Sequence, residues 1–136
     1  RKERYKKPAA LPEVKPATIR EDLFRRDFTI NAMAVSLNKN SFGEMVDFYG
    51  GKEDLEGKKI RILHDKSFID DPTRIFRAIR FQKRLGFIIE PHTQKLMTDA
   101  INMGMIEKLK KQRVKKELDL FLKEKICPGL KGFQAK

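Results

Sequence analysis

The sequence predicts an α+β fold, in which short strands and helices alternate up to about residue 63 and helices follow from there. In the first half, turn residues separate short apolar runs. In the second half, apolar residues recur at helical spacing. The chain has 136 residues, 40% of them hydrophobic and ten of them Phe. That length suits one domain, or two small parts that share a core.

Residues 1–17 contain three prolines and little periodicity, so we expect an extended segment or a surface loop there. The next residues, Thr18–Glu21, have the capping-box pattern, in which a Thr side chain and a Glu three residues later cap a helix start. A short helix is therefore predicted to run toward Arg25.

A hairpin follows in the prediction. Residues 33–37 and 44–49 have strand character, and residues 38–43 between them are turn formers. Beyond the Gly50-Gly51 pair we expect a short helical piece around residues 52–55. Residues 59–63 then read as a strand.

The stretch Asp70–Gly86 predicts the central helix. Asp71 stands at the N-cap position, Pro72 suits the first helical position, and Gly86 suits a left-handed C-terminal turn. At 3.6 residues per turn the helix has two faces. The face predicted to pack carries Ile75, Ala78, Ile79 and Leu85, and the cationic face carries Arg74, Arg77, Arg80 and Arg84.

Two further helices are predicted from their apolar stripes, which we assign to the core. The first begins at Pro91, with the stripe Leu96, Met97, Ala100 and Ile101. The second ends before Pro128, with the stripe Val114, Leu118, Phe121 and Leu122.

Two groups of polar residues are candidates for a site. Asp71 stands one turn before Arg74, so a carboxylate acceptor and a guanidinium donor could together contact the edge of a base. Arg26, Asp27 and Asn31 interrupt an apolar run, and buried polar groups need partners. A solvated basic helix face and an internal polar network are the alternatives for the two groups.

Composition bounds the function. The 31 Lys and Arg against 19 Asp and Glu give a net charge of +12, which favours a polyanionic partner such as nucleic acid. A single cysteine, Cys127, cannot form an intramolecular disulfide and fits the reducing cytoplasm. We expect no membrane partner, because no apolar run is as long as a membrane span requires. His64 and His92 are isolated, so we expect no metal site in the chain.

Three stretches, taken in order, resemble elements of the class II tRNA nucleotidyltransferase and bacterial poly(A) polymerase family. Residues 25–32, RRDFTINA, resemble the element near the nucleotide sugar and phosphates. Residues 47–55 resemble the DxxGGxxDL element, where the head and neck domains join. Residues 70–74 resemble the EDxxR element, which contacts the base of the incoming nucleotide. Two weaker similarities lie at residues 113–118, in a helix that buttresses the neck, and at residues 1–12.

The resemblance implies a fold and a set of site residues. Residues 1–63 would be the distal part of a nucleotidyltransferase head domain, and residues 64–136 a helical neck. Asp71 and Arg74 would form hydrogen bonds with the base of ATP or CTP. Asp70 stands where the family usually has Glu. The other residues that would bind or support the nucleotide are Arg26, Arg77, Arg80, Asp27 and Asn31.

The resemblance also implies a reaction, the addition of CMP or AMP to the 3′ end of tRNA or another RNA. The family binds Mg²⁺ through a DxD element that this sequence lacks, so we expect the chain alone to be inactive and the entire protein to be the enzyme. The sequence does not separate CCA-adding, A-adding and poly(A)-adding enzymes. A homodimer is a further expectation, because a partial head would expose a strand edge.

Two other functions stay open at this level. The first is a non-enzymatic basic module that binds RNA through its phosphates. The second is a folded fragment without a ligand site. Binding that depends on the base would favour the nucleotidyltransferase, because a phosphate clamp is indifferent to the base.

Overall fold

A computed structural model describes residues 2–4, 8 and 13–124 of the chain. The predictions for Cys127 and for the stop before Pro128 lie outside the described residues. Within the described part, no helix is both long and apolar enough to cross a membrane.

The strands of the described residues pair two by two, in three small sheets. The hairpin that the sequence predicts is confirmed, with Met33 opposite Asp47 and Val35 opposite Met45. The strands are β1 (Lys2–Arg4) with β2 (Glu13–Lys15), β3 (Met33–Val35) with β4 (Met45–Asp47), and β5 (Lys59–Ile60) with β6 (Ile88–Ile89).

The helices follow the predicted order, and together with the small sheets they confirm the α+β class. A 3₁₀ turn at Thr29–Asn31 precedes β3. The capping box is formed: the Thr18 hydroxyl accepts a bond from the Glu21 N–H at 3.3 Å, and the Glu21 carboxylate accepts one from the Thr18 N–H at 3.1 Å. The helices are α1 (Ile19–Phe24), α2 (Gly51–Glu56), α3 (Ser67–Asp70), α4 (Thr73–Leu85), α5 (Pro91–Asn102) and α6 (Lys111–Lys123).

The central helix α4 begins one residue later than the sequence predicts and ends as predicted. The N-cap residue is Pro72 and not Asp71 as predicted, but Asp71 accepts a hydrogen bond from the Thr73 N–H at 3.2 Å, next to the helix start. Gly86 closes the helix with a φ of 70°. The predicted burial of Ile79 is wrong, since this side chain is 38% exposed. The buried face turns instead toward Phe81, whose ring lies edge-on to Phe28 at 5.7 Å.

One hydrophobic core joins the two halves of the sequence. Phe28 and Ile60, from before residue 63, are fully buried beside Phe68 and Ile75, from after it. The β5–β6 pair also crosses that point, and it is parallel, which sequence periodicity did not indicate. The strand predicted at 59–63 is accordingly shorter. The division into head and neck at residues 63 and 64 stays a prediction.

The final helix α6 buries less than its stripe predicts. Leu118 is 45% exposed and Leu122 is 77% exposed, so their assignment to the core is wrong. The reason is that α6 packs on α4 largely through charged groups. Glu117 and Glu124 face the arginines of α4 at 3.4–3.6 Å, which turns the leucines toward solvent.

The Gly50-Gly51 pair has a structural use at the start of α2. Gly50 has a φ of 72°, and a Cβ on Gly51 would lie 2.3 Å from the Thr29 carbonyl oxygen. In the same turn, Asp47 accepts hydrogen bonds from the N–H groups of Gly51 and Lys52, both at 2.9 Å. Burial alone would raise the pKa of Asp47, but these backbone bonds outweigh it and lower the pKa.

Glu90 caps α5 and makes the stability of the chain depend on pH. It accepts bonds from the N–H groups of His92 at 3.1 Å and Thr93 at 2.9 Å. Burial opposes its ionisation, yet these bonds and the Thr93 hydroxyl lower the pKa of Glu90 below its ordinary value of 4.5. The stabilisation is therefore complete above that value and is lost as the pH falls through the lowered pKa of the folded state.

We expect Glu90→Gln to reduce the free energy of unfolding at pH 7 by about 1 kcal/mol, the usual value of an N-cap. The gap between the variant and the wild type should narrow as the pH falls from 7 through the lowered pKa of Glu90 in the folded state, because Glu90 is then protonated. Urea unfolding across this range measures it, with Glu56→Gln as the exposed control. A gap that stayed constant with pH would refute this role of Glu90.

Candidate functional site

The segment after α1 lines an open cavity of about 550 Å³ together with one face of α4 and the residue before that helix; we call it the arginine cavity. Four arginines and two aspartates line it, so its formal charge is positive and it suits an anion of nucleotide size. Six of the eight residues that the sequence predicts for the site meet here, although they come from segments some 40 residues or more apart. The lining residues are Arg25, Arg26, Asp27, Asn31, Asp71, Arg74, Arg77 and Phe81.

Asp27 joins the two walls of the arginine cavity. One carboxylate oxygen accepts bonds from the Phe28 N–H at 2.9 Å and the Asn31 amide at 3.0 Å. The other oxygen pairs with the Arg77 guanidinium of α4, whose Nε donates at 2.7 Å. Asp27 is only 8% exposed. It therefore fixes both the loop that carries Asn31 and the direction of Arg77.

Arg26 is the most exposed of the four arginines that line the cavity. Its Nη1 donates to the Asn31 carbonyl at 3.1 Å, and Nη2 lies 3.9 Å from an Asp22 carboxylate oxygen. The side chain is 44% exposed. Long ion pairs at an exposed guanidinium contribute little to stability, so Arg26 can turn toward an anion at small cost.

Arg74 is buried at the back of the cavity, with 5% of its surface exposed. Its guanidinium donates to the Ser67 hydroxyl of α3 and, at 2.8 Å, to the Arg25 carbonyl. These bonds tie α4 to α3 and to the end of α1. A guanidinium has five N–H donors, so donors remain for a ligand in the cavity.

Asp71 is held from two sides. Its Oδ1 accepts bonds from the Thr73 hydroxyl at 2.7 Å and from Arg113 of α6 at 2.9 Å. Within the described part of the chain, its Oδ2 accepts only the longer hydrogen bond from Arg113, at 3.2 Å. Sequence reasoning did not assign Arg113 to the site, because it lies 42 residues away. The similarity at residues 113–118 was the available signal for it.

Two predicted residues lie elsewhere. Arg80 faces α6, where its Nη1 is 3.4 Å from Glu117 and its Nε is 3.5 Å from Glu124, so these acids hold it away from the cavity. Arg80 therefore does not line the arginine cavity. Asp70 faces a neighbouring cavity instead.

That neighbour is a cavity of about 580 Å³, which we call the aromatic cavity. Phe24, Tyr49 and His64 contribute rings, and Arg25 and Arg74 belong to both cavities. Burial, and then the nearby Arg74 charge, lower the pKa of His64, so its imidazole is neutral at pH 7. The lining residues are Arg20, Glu21, Phe24, Arg25, Tyr49, His64, Asp65, Lys66, Asp70 and Arg74.

The Mg²⁺ that the resemblance implies does not fit the carboxylates of this site. In the described part of the chain, no three His, Cys, Asp or Glu residues are grouped so that they could hold a metal. Asp70 and Asp71 are adjacent in sequence, but they line different cavities. The Asp71 carboxylate is also already paired with Arg113. The residues of the arginine cavity are therefore suited to binding and positioning an anion.

The chain is thus an α+β protein with a cationic cavity, and comparison with known proteins shows the family to which this fold belongs. Residues 1–61 match the family model described as the poly A polymerase head domain. An A-adding tRNA nucleotidyltransferase of Geobacter sulfurreducens is 50% identical over 125 residues, which are 92% of this chain and 14% of that protein. The chain belongs to the tRNA nucleotidyltransferase and poly(A) polymerase family.

Solved structures give the same answer. An apo form of a CCA-adding enzyme is 51% identical, with a TM-score of 0.88, over 91% of this chain and 29% of that one. A tRNA nucleotidyltransferase complexed with a primer tRNA and an incoming ATP analog is 49% identical, with a TM-score of 0.79, over 82% of this chain and 32% of that one. The chain thus spans less than a third of the length of these relatives.

Proposed function

We propose that this chain selects the nucleotide and contacts RNA in an enzyme that adds CMP or AMP, without a nucleic-acid template, to the 3′ end of tRNA. One observation carries the proposal. Residues of the RRDFTINA segment and of the Asp71–Arg77 segment, far apart in sequence, line one cationic cavity of nucleotide size. A relative of the same fold, solved with a primer tRNA and an ATP analog, supports the choice of substrates.

The cavity offers a means of selecting the base. Adenine and cytosine both present an amino donor beside a ring-nitrogen acceptor, whereas guanine and uracil present a carbonyl acceptor beside an N–H donor. Asp71 Oδ2 can accept from the amino group, and a remaining N–H of Arg74 can donate to the ring nitrogen. The pair therefore matches ATP and CTP and opposes GTP and UTP.

The same cavity offers a means of holding the phosphates. Arg26 is exposed and weakly paired, and Arg77 is aimed into the cavity by Asp27. Guanidinium groups bind phosphate oxygens through paired N–H donors. Mg²⁺, bound by other parts of the enzyme, would supply charge stabilisation at the reacting phosphate when present. A homodimer and a cytoplasmic location stay predictions.

The test is a titration of the four nucleoside triphosphates into the chain, at low and at physiological salt. We expect ATP, or ATP and CTP, to bind better than GTP and UTP. Asp71→Asn keeps the shape of the side chain but adds an amide donor, so it should reduce this preference roughly tenfold or more, the usual worth of a paired base contact. Asp119→Asn, an equal change of charge on the exposed face of α6, should leave the preference intact.

Other outcomes have distinct meanings. Equal binding of all four nucleotides, lost steeply with added salt, would contradict base selection and favour the basic RNA-binding module. No binding at any salt concentration would favour a fragment without a ligand site. Thermal unfolding of Asp71→Asn and Asp119→Asn shows whether either variant has lost its fold.

A further inference from the structure

Arg113 of α6 contacts the Asp71 carboxylate but does not line the arginine cavity. Its Nη2 donates to Oδ1 at 2.9 Å and to Oδ2 at 3.2 Å, and it lies 3.4 Å from the Thr73 hydroxyl. The side chains of Asp71 and Arg113 are 22% and 30% exposed, so salt screens this pair less than it screens an exposed pair. Arg113 therefore acts on the arginine cavity through the carboxylate that it holds.

The hydrogen bonds to the two oxygens of Asp71 have different effects on the carboxylate. Thr73 donates to Oδ1 alone, through its hydroxyl at 2.7 Å and its N–H at 3.2 Å. Bonds at one oxygen leave the carboxylate able to rotate about the Cβ–Cγ bond, a torsion that is broad in Asp. Arg113 bridges both oxygens, so it fixes the plane of the carboxylate. Because Oδ1 already accepts three bonds, Oδ2 is the oxygen with room for a ligand.

The position of Arg113 depends on how α6 packs against α4. Glu117 follows Arg113 by one turn and lies 3.4 Å from Nη1 of Arg80, whose Nε is 3.5 Å from Glu124. The Arg80 side chain is 12% exposed, so both pairs are largely removed from water. Arg80 thus holds α6 at the place from which Arg113 reaches Asp71.

We propose that Arg113 is a positioning residue for base selection, which fixes the Asp71 carboxylate so that Oδ2 meets the amino group of adenine or cytosine. This inference rests on the proposed function, because Asp71 contacts a base only if a nucleotide binds in the arginine cavity. Without Arg113 the carboxylate rotates, and an oxygen no longer stays opposite the amino group. The affinity for ATP then falls, whereas the affinity for GTP, which gains nothing from Oδ2, does not depend on this orientation.

The test compares the ratio of ATP affinity to GTP affinity in the wild type and in Arg113→Met, which keeps a long side chain and removes the charge. We expect the ratio to fall roughly 3-fold to 10-fold, in line with the coupling of residues in contact. Lys116→Met removes the same charge from an exposed position of α6, so it should weaken both nucleotides alike and keep the wild-type ratio. Arg113→Lys retains a cation beside Asp71 and should recover part of the ratio.

The double variant Asp71→Asn with Arg113→Met identifies the route of the effect. Because Arg113 acts through Asp71, this variant should have the same ratio as Asp71→Asn alone. A wild-type ratio in Arg113→Met, or losses that add in the double variant, would overturn the proposal and leave the proposed function standing. An equal loss of ATP and GTP affinity beyond that of Lys116→Met would also overturn it, since it would show a role in folding alone. A wild type that does not prefer ATP would reject the proposed function and this inference with it.

Discussion

Replacing Arg74 by alanine is expected to reduce the free energy of unfolding by about 3 kcal/mol or more, the largest effect that we predict for a residue of the site. Arg74 is 5% exposed, and its guanidinium donates to the Ser67 hydroxyl and the Arg25 carbonyl. Alanine leaves both acceptors without their donor and opens a cavity where α3, α4 and the end of α1 meet. Arg74 therefore stabilises the fold that presents the site.

Urea unfolding of Arg74→Ala and Arg84→Ala checks this expectation. Arg84 lies on the same helix, but its side chain is 47% exposed and its ion pair with Glu124 spans 3.6 Å. Its loss should cost well under about 1 kcal/mol, as is usual for an exposed pair. Equal stability of the two variants would show that the internal bonds of Arg74 contribute little. A large effect would also mean that nucleotide binding by Arg74→Ala reports folding as well as contact.

The second large effect is expected at Asp27. Asp27→Asn should destabilise the chain by about 2 to 3 kcal/mol. Both carboxylate oxygens of Asp27 accept hydrogen bonds, so the amide nitrogen of Asn would face a donor whichever of the two oxygens it replaced. The Arg77 side chain is 32% exposed, so Arg77→Gln alone should cost about 1 kcal/mol. Because the two side chains pair with each other, the double variant should lose less than the sum of the single changes.

A double-mutant cycle measures this coupling. We expect about 1 to 2 kcal/mol for Asp27 with Arg77. The matched control is the exposed pair of Lys52 and Glu56, whose charged atoms are 4.0 Å apart, and its coupling should be close to zero. Coupling of the same small size in both cycles would mean that Asp27 does not position Arg77.

Local signals in the sequence predicted local structure well. The capping box at Thr18 and the left-handed Gly86 depend on neighbouring residues alone, and both are formed. The β3–β4 hairpin depends on a short turn and is also formed. The RRDFTINA and Asp71–Arg77 segments lie about 50 positions apart, so local sequence signals do not predict that they meet. Their contact was expected only from the resemblance to a family.

What the sequence could not predict depends on long-range packing. The Arg113–Asp71 bond and the Arg80–Glu117 pair require the position of α6 on α4, which helical periodicity does not determine. The exposure of Ile79, Leu118 and Leu122 has the same origin. A pattern shows which residues share a helix face, but the neighbouring elements decide which face is covered.

The most direct test of the central claim is to label the nucleotide site covalently. The chain would be irradiated with 8-azido-ATP, which reacts next to the adenine, and the labelled peptides identified by mass spectrometry. We expect label within residues 25–31 or 70–81, reduced by unlabelled ATP more than by UTP. Label spread over the lysines of α6, with equal protection by both nucleotides, would contradict the claim that the arginine cavity selects the nucleotide.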